Sequence, residues 1–453
     1  MDTLIYQTLG KFKRYRDISY RIEDYVKRGV KFSSQAIYSY YAEREGRSPK
    51  IIYVYPHSLS GNPGGDPDSL VEEAREEIGE LVKDCDFDVL ISNAIGVDEE
   101  SGWKWTFKST PGNIAVQVFL DMKDRLSVMS GKKLIIADLS SGYNLYAISV
   151  LDALKSLIVY NKLKNGIRDG SLRASYAISE PVIGAESPKG GDPAGLPKEI
   201  FIHEYDEKAF FELPISGNKL RGAHKLDYYV DLNDDSLKRK MGFETSKERK
   251  DLGKLMNGLV LMFNSIKMNA PLVLYMDVVE IHQDVEGLEE RLTKFFKGML
   301  RPEIKERVVS VPSLRARDIF NLFFSIALYD WIVKKRAELE GRATINGMRK
   351  AFAKIYEELG LPLNYRFLER DLKEIEGRKE VIPNDWTPLD EVLESEMGGR
   401  GGGAAGDEKR NFFAHSGLEK TVVEVKRCGE EIELRYSRDG MKKIKEWLLK
   451  LDF

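Results

Sequence analysis

The chain is poor in cysteine and lacks the segments typical of exported and membrane proteins. It has only two cysteines in 453 residues, Cys85 and Cys428, and neither belongs to a Cys-x-x-Cys pair. This argues against a disulfide framework or a cysteine-based zinc site and suits a reducing compartment. The N-terminus has no basic segment followed by an apolar core, and the apolar run at residues 322–328 is too short to span a bilayer. We therefore expect a cytoplasmic protein.

Common cofactor and metal signatures are also missing. No Gly-x-Gly-x-x-Gly follows the first predicted strand, and there is no Walker A loop, which argues against a dinucleotide cofactor or ATP. His203, His224 and His282 have no partners at metal-ligand spacing, so they are interpreted as structural, and no metal site is predicted. His57 follows the second predicted strand and is interpreted as a surface-loop histidine. The net charge of −3 restricts any RNA contact to a local site.

The first two hundred residues alternate short apolar runs with amphipathic stretches. This alternation predicts a parallel sheet with helices on both faces, a Rossmann-like α/β fold. A Gly-, Pro- and Ala-rich stretch at 181–195 is predicted to be a loop or linker, and 200–205 with 209–213 a hairpin on the first domain. The predicted strands are 4–6, 51–55, 87–91, 134–137 and 174–179, and the predicted helices are 34–44, 69–83, 113–129 and 144–160.

The rest of the chain is predicted to be mainly helical, so the fold class is α/β plus all-α. We expect a Rossmann-like domain at 1–215, a helical connector at 216–300 and a C-terminal helical domain with a small hairpin at 301–453. A glycine-rich stretch at 398–406 is predicted to be a loop, and Asp407 to cap the helix after it. The predicted elements of the last part are helices at 316–339, 344–359, 366–376 and 441–451, and hairpin strands at 421–426 and 431–436.

The first candidate site is the turn after the fourth predicted strand, residues 138–144, Asp-Leu-Ser-Ser-Gly-Tyr-Asn. Ligands of open α/β sheets bind beyond the carboxyl ends of strands, near helix N-termini. Hydroxyl and amide side chains there can bind a phosphate or a ribose, whereas an ordinary capped turn would use the same residue types. Both interpretations stay open from the residues alone. The candidate ligand-binding residues are Thr8, Gly10, Asn93, Ser140, Ser141, Gly142, Tyr143 and Asn144.

The second candidate site is the segment 410–415, Arg-Asn-Phe-Phe-Ala-His. An arginine can neutralise a phosphate, and a histidine can move protons at a ribose 2′-hydroxyl or a leaving 5′-oxygen without a metal. On a helix, Asn411 and His415 share a face, while the phenylalanines anchor the other side in a core. The residues are equally compatible with Arg410 pairing with a nearby acid and His415 ending the helix before Gly417.

Both segments resemble motifs of one family. Residues 410–419 closely resemble the active-site signature of CRISPR-associated Csx1/Csm6-type ribonucleases, whose C-terminal HEPN domain carries Arg-Asn-x-x-Ala-His followed by a small residue, Gly and Leu. The turn at 138–144 resembles the Asp-Leu-Thr-His-Gly-x-Asn loop of the family's CARF sensor domain, with Ser140 in place of Thr and Ser141 in place of His. The motifs stand in the family's order, so the resemblance covers the whole chain.

The resemblance implies a metal-independent endoribonuclease that cleaves single-stranded RNA in type III CRISPR antiviral defence. Arg410, Asn411 and His415 match the family's catalytic positions, and the product would carry a 2′,3′-cyclic phosphate. It also implies a homodimer with facing motif helices, activated by a cyclic oligoadenylate, preferably cyclic tetra-adenylate, bound across paired CARF domains. Two alternatives are a non-catalytic CARF-type sensor that binds RNA or DNA, and a CARF site that also degrades its activator.

Overall fold

The computed structural model describes most of the chain in nine stretches. The predicted linker at 181–195, the glycine-rich stretch at 398–406 and Asp407 lie outside the described residues. None of the described helices combines the length and apolar character needed to cross a membrane. The described stretches are residues 2–11, 17–99, 104–180, 196–215, 222–231, 246–277, 281–339, 341–394 and 408–450.

An eight-stranded sheet forms the N-terminal part, in the order β3-β2-β10-β9-β8-β1-β4-β5. The five strands from β9 to β5 in this order run parallel, β10 is antiparallel to β9, and β3 is antiparallel to β2. The predicted parallel sheet is therefore confirmed. Its strands are β1 (Asp2–Thr8), β2 (Ile18–Ile22), β3 (Tyr25–Val30), β4 (Ser48–Pro56), β5 (Phe87–Ser92), β8 (Lys133–Asp138), β9 (Leu172–Ser179) and β10 (Lys198–Tyr205).

Helices cover both faces of the middle of this sheet, which explains why the central strands β1, β4 and β8 are continuous buried runs rather than alternating ones. On β1, Leu4 and Tyr6 join the core under one pair of helices, whereas Ile5 joins the core under the other pair. Asp66 and Thr110 cap the second and third helices by accepting backbone N–H groups, and a proline follows each cap. The four helices are α1 (Ser33–Glu43), α2 (Pro67–Leu81), α3 (Pro111–Val128) and α4 (Asn144–Asn165).

The second half of the chain is helical, as predicted, and one continuous apolar core joins it to α3 and α4. A three-stranded sheet, β15-β16-β17, contains the predicted hairpin, with β16 (Val423–Cys428) antiparallel to β17 (Glu431–Tyr436). The fold class predicted from the sequence is confirmed. The helices are α5 (Ser246–Lys267), α6 (Val285–Met299), α7 (Ala316–Ala337), α8 (Ile345–Glu358), α9 (Pro362–Glu376), α10 (Leu389–Glu394), α11 (Glu408–Ala414) and α12 (Arg438–Leu449).

One predicted element is wrong. Residues 209–213 form no strand; the strand at 198–205 instead pairs with β9 and β2. The physical reason is that Phe211 is buried against helices of the second half of the chain, with its ring centroid 4.7 Å from that of Phe263 in α5 and 6.5 Å from that of Trp331 in α7.

Short strands missed in the sequence form two small sheets. One has the order β12-β13-β7-β6, so its two halves come from the first domain and from the region after α6. The other pairs β11 with β14. Such short strands lack the length that makes a periodic pattern visible. The additional strands are β6 (Gly96–Asp98), β7 (Trp105–Lys108), β11 (Val230–Asp231), β12 (Glu303–Lys305), β13 (Val308–Ser310), β14 (Ser313–Leu314) and β15 (Thr387–Pro388).

Candidate functional site

The first candidate site lies where β1 and β8 end side by side. Thr8 is the last residue of β1, and its Oγ1 donates to the carbonyl of Ser141 at 2.9 Å. Gly142 has φ +93°, and a Cβ there would lie 2.2 Å from Thr8 Oγ1 and 2.9 Å from the Thr8 carbonyl oxygen. Only a glycine allows the turn to lie this close to the end of β1. The structure thus brings together Thr8 and the turn at 138–144.

The residues of this turn divide into inward and outward sets. Ser141 Oγ accepts a hydrogen bond from the Gln7 amide, and the Ser140 N–H donates to Asp138 Oδ1 at 3.0 Å. Gly142, Tyr143 and Asn144 are exposed instead, at the N-terminus of α4. Tyr143 is the N-cap residue, and its side chain makes no capping hydrogen bond with this described helix. The helix N-terminus and three exposed residues therefore face solvent together.

Behind the turn lies a buried polar cluster that sequence reasoning missed. Asp138 is fully buried, and Ser33 at the start of α1 donates to its Oδ2 at 2.6 Å. Burial raises the pKa of Asp138, and the hydrogen bonds from Ser33 and Ser140 offset this only in part. Gln7 joins the cluster, because its Nε2 donates to Ser33 Oγ at 3.1 Å. The adjacent hydroxyls Ser33 and Ser34 were a signal, but only the strand order puts them beside Asp138.

The other two predicted ligand residues, Asn93 and Gly10, follow the ends of β5 and β1. Asn93 follows β5 and is buried; its Nδ2 donates to the carbonyl of Leu300 at 3.1 Å, and its N–H donates to Gln117 Oε1 at 3.0 Å. Asn93 therefore connects the sheet to the end of α6. Gly10 is half-buried, two residues beyond β1, and the preceding Leu9 N–H donates to the carbonyl of Val54 in β4.

The second candidate site is the short helix α11. At 100° per residue, Arg410, Ala414, Asn411 and His415 occupy an arc of about 140°. Arg410, Ala414 and His415 are exposed, Asn411 is half-buried, and Phe412 on the opposite side is fully buried. Arg410 and His415 thus lie at the two edges of this arc, with Ala414 and Asn411 between them.

Phe412 fixes this orientation. Its ring centroid lies 5.1 Å from that of Phe413, 6.1 Å from that of Tyr436 in β17 and 5.4 Å from that of Trp447 in α12. Aromatic contacts of this kind add to the apolar area that Phe412 buries. The predicted anchoring of the motif by its phenylalanine side is confirmed for Phe412.

The end of α11 is a tight reversal built from two residues in the left-handed region. Ser416 has φ +52° and Gly417 φ +72°, and the Gly417 N–H donates to the Phe412 carbonyl at 2.9 Å, as in a Schellman motif. A non-glycine residue in this region costs about 1–2 kcal/mol. A Cβ on Gly417 would lie 2.7 Å from Ala270 Cα. His415 does end the helix before Gly417, as one interpretation predicted, and this position is what exposes its side chain.

A buried polar network lies directly behind this reversal. Ser416 Oγ donates to Asp371 Oδ2 at 2.6 Å and accepts from Asn269 Nδ2 at 2.8 Å. Tyr356 donates to Asn269 Oδ1 at 2.8 Å, and Tyr436 donates to the Gly417 carbonyl at 3.0 Å. Sequence reasoning missed all four partners, because they come from four separate elements and none is close to the motif in the chain.

A further buried charge cluster lies between α6 and the helices α3 and α4. Glu289 Oε1 lies 3.2 Å from Lys123 Nζ, and its Oε2 lies 3.0 Å from Lys164 Nζ; Tyr160 also donates to it. Burial acts to raise the pKa of Glu289, but the two lysines and these hydrogen bonds outweigh it and hold that pKa below its ordinary value. Because every charge has a partner, the cluster is a structural joint.

Comparison with known proteins places both sites in one family. The family model for the CARF domain of the CRISPR system endoribonuclease Csx1 matches residues 4–181, and the model for its HEPN domain matches residues 361–439. The first match contains the turn at 138–144, and the second contains Arg410 and His415. Together the matches cover more than half of the chain.

Matches beyond the family models are weak. No curated protein sequence matches the chain. Among solved structures, the chain is similar to Enterococcus italicus Csm6 bound to cyclic hexa-2'-fluoro-hexa-dAMP, at 9% identity over 99% of this chain and 93% of that one. The TM-score is 0.27, which is too low to support an argument. The two domain matches, in this order and each containing its motif, show that the chain belongs to the CARF–HEPN family of CRISPR-associated endoribonucleases.

Proposed function

We propose that this protein is a metal-independent endoribonuclease of type III CRISPR defence that cleaves single-stranded RNA in the cytoplasm when a cyclic oligoadenylate binds its CARF domain. The observation that carries the proposal is the exposed arc of α11, where Arg410 and His415 flank Ala414. This arrangement supplies a fixed positive charge and a proton-transfer group within about one and a half helix turns, and these are the two groups that phosphodiester transesterification requires.

In the proposed reaction the ribose 2′-oxygen attacks the adjacent phosphorus, and the bond to the 5′-oxygen of the next nucleotide breaks. His415 moves a proton at the 2′-hydroxyl or at the leaving oxygen. Arg410 neutralises the charge that develops on the phosphorane oxygens, and Asn411 provides an amide beside them. The products are an RNA ending in a 2′,3′-cyclic phosphate and an RNA with a free 5′-hydroxyl. This chemistry needs no redox step and no metal-bound water.

The proposed active form is a homodimer. A single α11 presents one histidine, whereas the transesterification has one proton to remove and one to supply. Two copies of α11 facing each other would combine two Arg–His pairs around one phosphate. The solvent exposure of Arg410, Ala414 and His415 supports this, because a facing helix has to pack on an exposed surface.

The proposed activator site is the exposed N-terminus of α4. The N–H groups of the first helix turn attract phosphate groups, and the Tyr143 ring, 39% exposed, offers a face on which an adenine can stack. Asn144 adds an exposed amide. Cyclic tetra-adenylate is the preferred activator.

The test is cleavage of a fluorescent single-stranded RNA in EDTA, with cyclic tetra-adenylate, cyclic hexa-adenylate, linear oligoadenylate or no nucleotide. Wild type is expected to cleave only with a cyclic nucleotide. His415→Ala should lose about 10²- to 10⁴-fold in rate, because the proton-transfer group is removed. His203→Ala, which truncates an exposed histidine on β10, is the matched control and should cleave like wild type.

Each part of the proposal can fail separately. Cleavage by His415→Ala at the wild-type rate would refute the HEPN site, and a loss of all cleavage in EDTA would refute metal independence. Mass spectrometry of the 3′ ends identifies the product, and a plain 3′-hydroxyl end would refute the transesterification. For the sensor, Tyr143→Ala and Asn144→Ala should need more nucleotide for half-maximal activity, whereas Asn165→Ala at the other end of α4 should not.

A further inference from the structure

Two helix ends meet behind the catalytic motif. The connector helix α5 ends in a reversal in which the Ala270 N–H donates to the Ser265 carbonyl, and α11 ends in the same way at Gly417. Each reversal has a non-glycine residue in the left-handed region, Asn269 with φ +57° and Ser416 with φ +52°. Asn269 Nδ2 donates to Ser416 Oγ at 2.8 Å, so these two residues bond directly to each other.

Left-handed positions at helix ends usually carry glycine, which adopts this conformation without a steric penalty. A serine that is 1% exposed at such a position therefore indicates that its side chain makes interactions that a glycine could not. Its hydroxyl has both a donor and an acceptor: Asn269 donates to it, and it donates to Asp371 Oδ2 at 2.6 Å. A hydroxyl held from two sides fixes the residue that carries it.

The partners of Ser416 are themselves held. Asp371 is 5% exposed, and its Oδ1 accepts from Arg370 Nε at 3.0 Å and from Arg370 Nη2 at 2.8 Å. Asn269 is 8% exposed, and its Oδ1 accepts from Tyr356 at 2.8 Å. The network thus ties the residue after His415 to α5, α8 and α9 at once.

We propose that Ser416, held by Asn269 and Asp371, is a positioning residue that sets the location of the His415 imidazole in the active site. The inference rests on the proposed function, because it assumes that His415 transfers the proton. Ser416 has no contact with the reacting atoms; it acts through the backbone of His415. The exposed imidazole has few packing contacts of its own, so its position depends on the residue that follows it.

The test is Ser416→Gly. Glycine adopts the left-handed backbone and removes only the hydroxymethyl group, so the melting temperature should stay within a few degrees of wild type. If the hydroxyl positions His415, kcat should fall about 10- to 100-fold with KM unchanged, since a small misplacement of a catalytic group has effects of this size. The control is Asp84→Gly, which replaces an exposed left-handed residue with φ +64° in the first domain and should change neither constant.

A spectroscopic readout separates positioning from general weakening. The chain has five histidines, so ¹³C-labelled histidine gives few ring signals, and His415→Gln identifies that of His415. Ser416→Gly should shift or broaden the His415 signal and leave the other four in place. Asp371→Ala should do the same and lower kcat, whereas Asp371→Asn, which keeps an oxygen to accept the Ser416 hydroxyl, should recover most of kcat.

The outcomes distinguish this proposal from the function on which it rests. Full kcat in Ser416→Gly, with His415→Ala inactive, would overturn the positioning role alone. If wild type cleaves no RNA with any nucleotide, or His415→Ala cleaves like wild type, the proposed function fails. In that case the signal of the His415 ring still tests the positioning role. An unchanged His415 signal in Ser416→Gly would overturn that role whatever the protein's activity.

Discussion

The turn at 138–144 in the sensor and the end of α11 in the nuclease domain are both tight reversals packed against another part of the chain, but their neighbours differ. Each reverses the chain at a glycine that cannot accept a side chain: a Cβ on Gly142 would meet Thr8 Oγ1 at 2.2 Å, and one on Gly417 would meet Ala270 Cα at 2.7 Å. In the sensor the closest atom belongs to a side chain that can rotate. In the nuclease it belongs to the backbone of another helix end, which cannot move alone.

The two regions also present opposite helix ends. The sensor exposes the N-terminus of α4, where N–H groups carry partial positive charge and attract phosphates without charged side chains. In α11 the proposed proton-transfer residue, His415, instead follows the last residue of the helix, where the helix itself offers a phosphate no such attraction. The two proposed sites accordingly differ in residue type: small and polar residues at 138–144, and the fixed charge of Arg410 in the motif at 410–415.

The largest expected effect concerns the Glu289 joint, which connects α6 to α3 and α4. Glu289→Ala leaves the buried Lys123 and the half-buried Lys164 around a missing carboxylate, which should lower the free energy of unfolding by about 3–5 kcal/mol. If the joint transmits the signal, activation should also weaken while nucleotide affinity is kept. Denaturant unfolding and nucleotide titration measure the two effects.

The control for the joint is Asp206→Ala, which breaks the exposed ion pair of Asp206 with Lys162 and should cost at most about 1 kcal/mol. Equal destabilisation by the two variants would mean that the buried cluster stabilises the fold no more than a surface ion pair does. Unchanged activation in Glu289→Ala would mean that the regions communicate by another route.

Gly417→Ala should have the next largest effect. The added methyl meets the backbone of Ala270 and forces a left-handed alanine, so the free energy of unfolding should fall by about 2–4 kcal/mol. Because the end of α11 moves, the cleavage rate should drop at every nucleotide concentration. Thermal unfolding and a rate measurement at saturating nucleotide test this, and a wild-type maximal rate would contradict it.

Gly142→Ala is the matched change in the sensor and should cost somewhat less, about 1–3 kcal/mol, because the Thr8 hydroxyl can turn away and only the Thr8 carbonyl oxygen, 2.9 Å from the added methyl, has to shift. We expect the nucleotide concentration for half-maximal activity to rise about tenfold or more, with the maximal rate recovered at saturation. Gly298→Ala in α6, where nothing lies within 4 Å of the added methyl, is the control for both glycines. A lower maximal rate in Gly142→Ala, with an unchanged nucleotide concentration for half-maximal activity, would contradict this expected difference between the two glycines.

The smallest effect is a pH dependence confined to the sensor. The pKa of Asp138 is raised in the folded protein by burial, so the native state keeps a proton that the unfolded chain has already lost. This contribution to stability is present below the ordinary aspartate pKa of about 4 and is lost as pH rises from there through the raised value. Asp138→Asn should remove this pH-dependent loss of stability and change the free energy of unfolding by about 1 kcal/mol.

Urea unfolding at several pH values tests the prediction for Asp138. Identical pH profiles for wild type and Asp138→Asn would show that the carboxyl has no raised pKa. The Glu289 joint should behave in the opposite way, because its pKa is lowered: its contribution is present above the ordinary glutamate value and is lost as pH falls through the lowered one.

Much of the fold followed from the sequence, because buried parallel strands and amphipathic helices have distinct periods. The predicted strand at 134–137 is observed as Lys133–Asp138 and the predicted helix at 344–359 as Ile345–Glu358, and the predicted helix at 144–160 differs only in extending to Asn165. The segment 209–213 failed because an apolar side chain such as Phe211 is buried equally well in a strand or against a helix. Strands of two or three residues, such as Ser313–Leu314, carry no period at all.

The same distinction applies to the candidate sites: their motifs could be predicted from the sequence, but the residues that support them could not. The motifs at 138–144 and 410–415 could be read in the sequence because the residues that meet a ligand are consecutive and chemically distinctive. The supports of these motifs could not: Ser33 lies 105 residues from Asp138, and Asn269 lies 147 residues from Ser416. The sequence alone determined which residues carry charge and protons, because that is a property of each side chain. Only the tertiary structure decided what holds them, because a hydrogen bond between distant residues depends on the strand order and helix packing that bring them together.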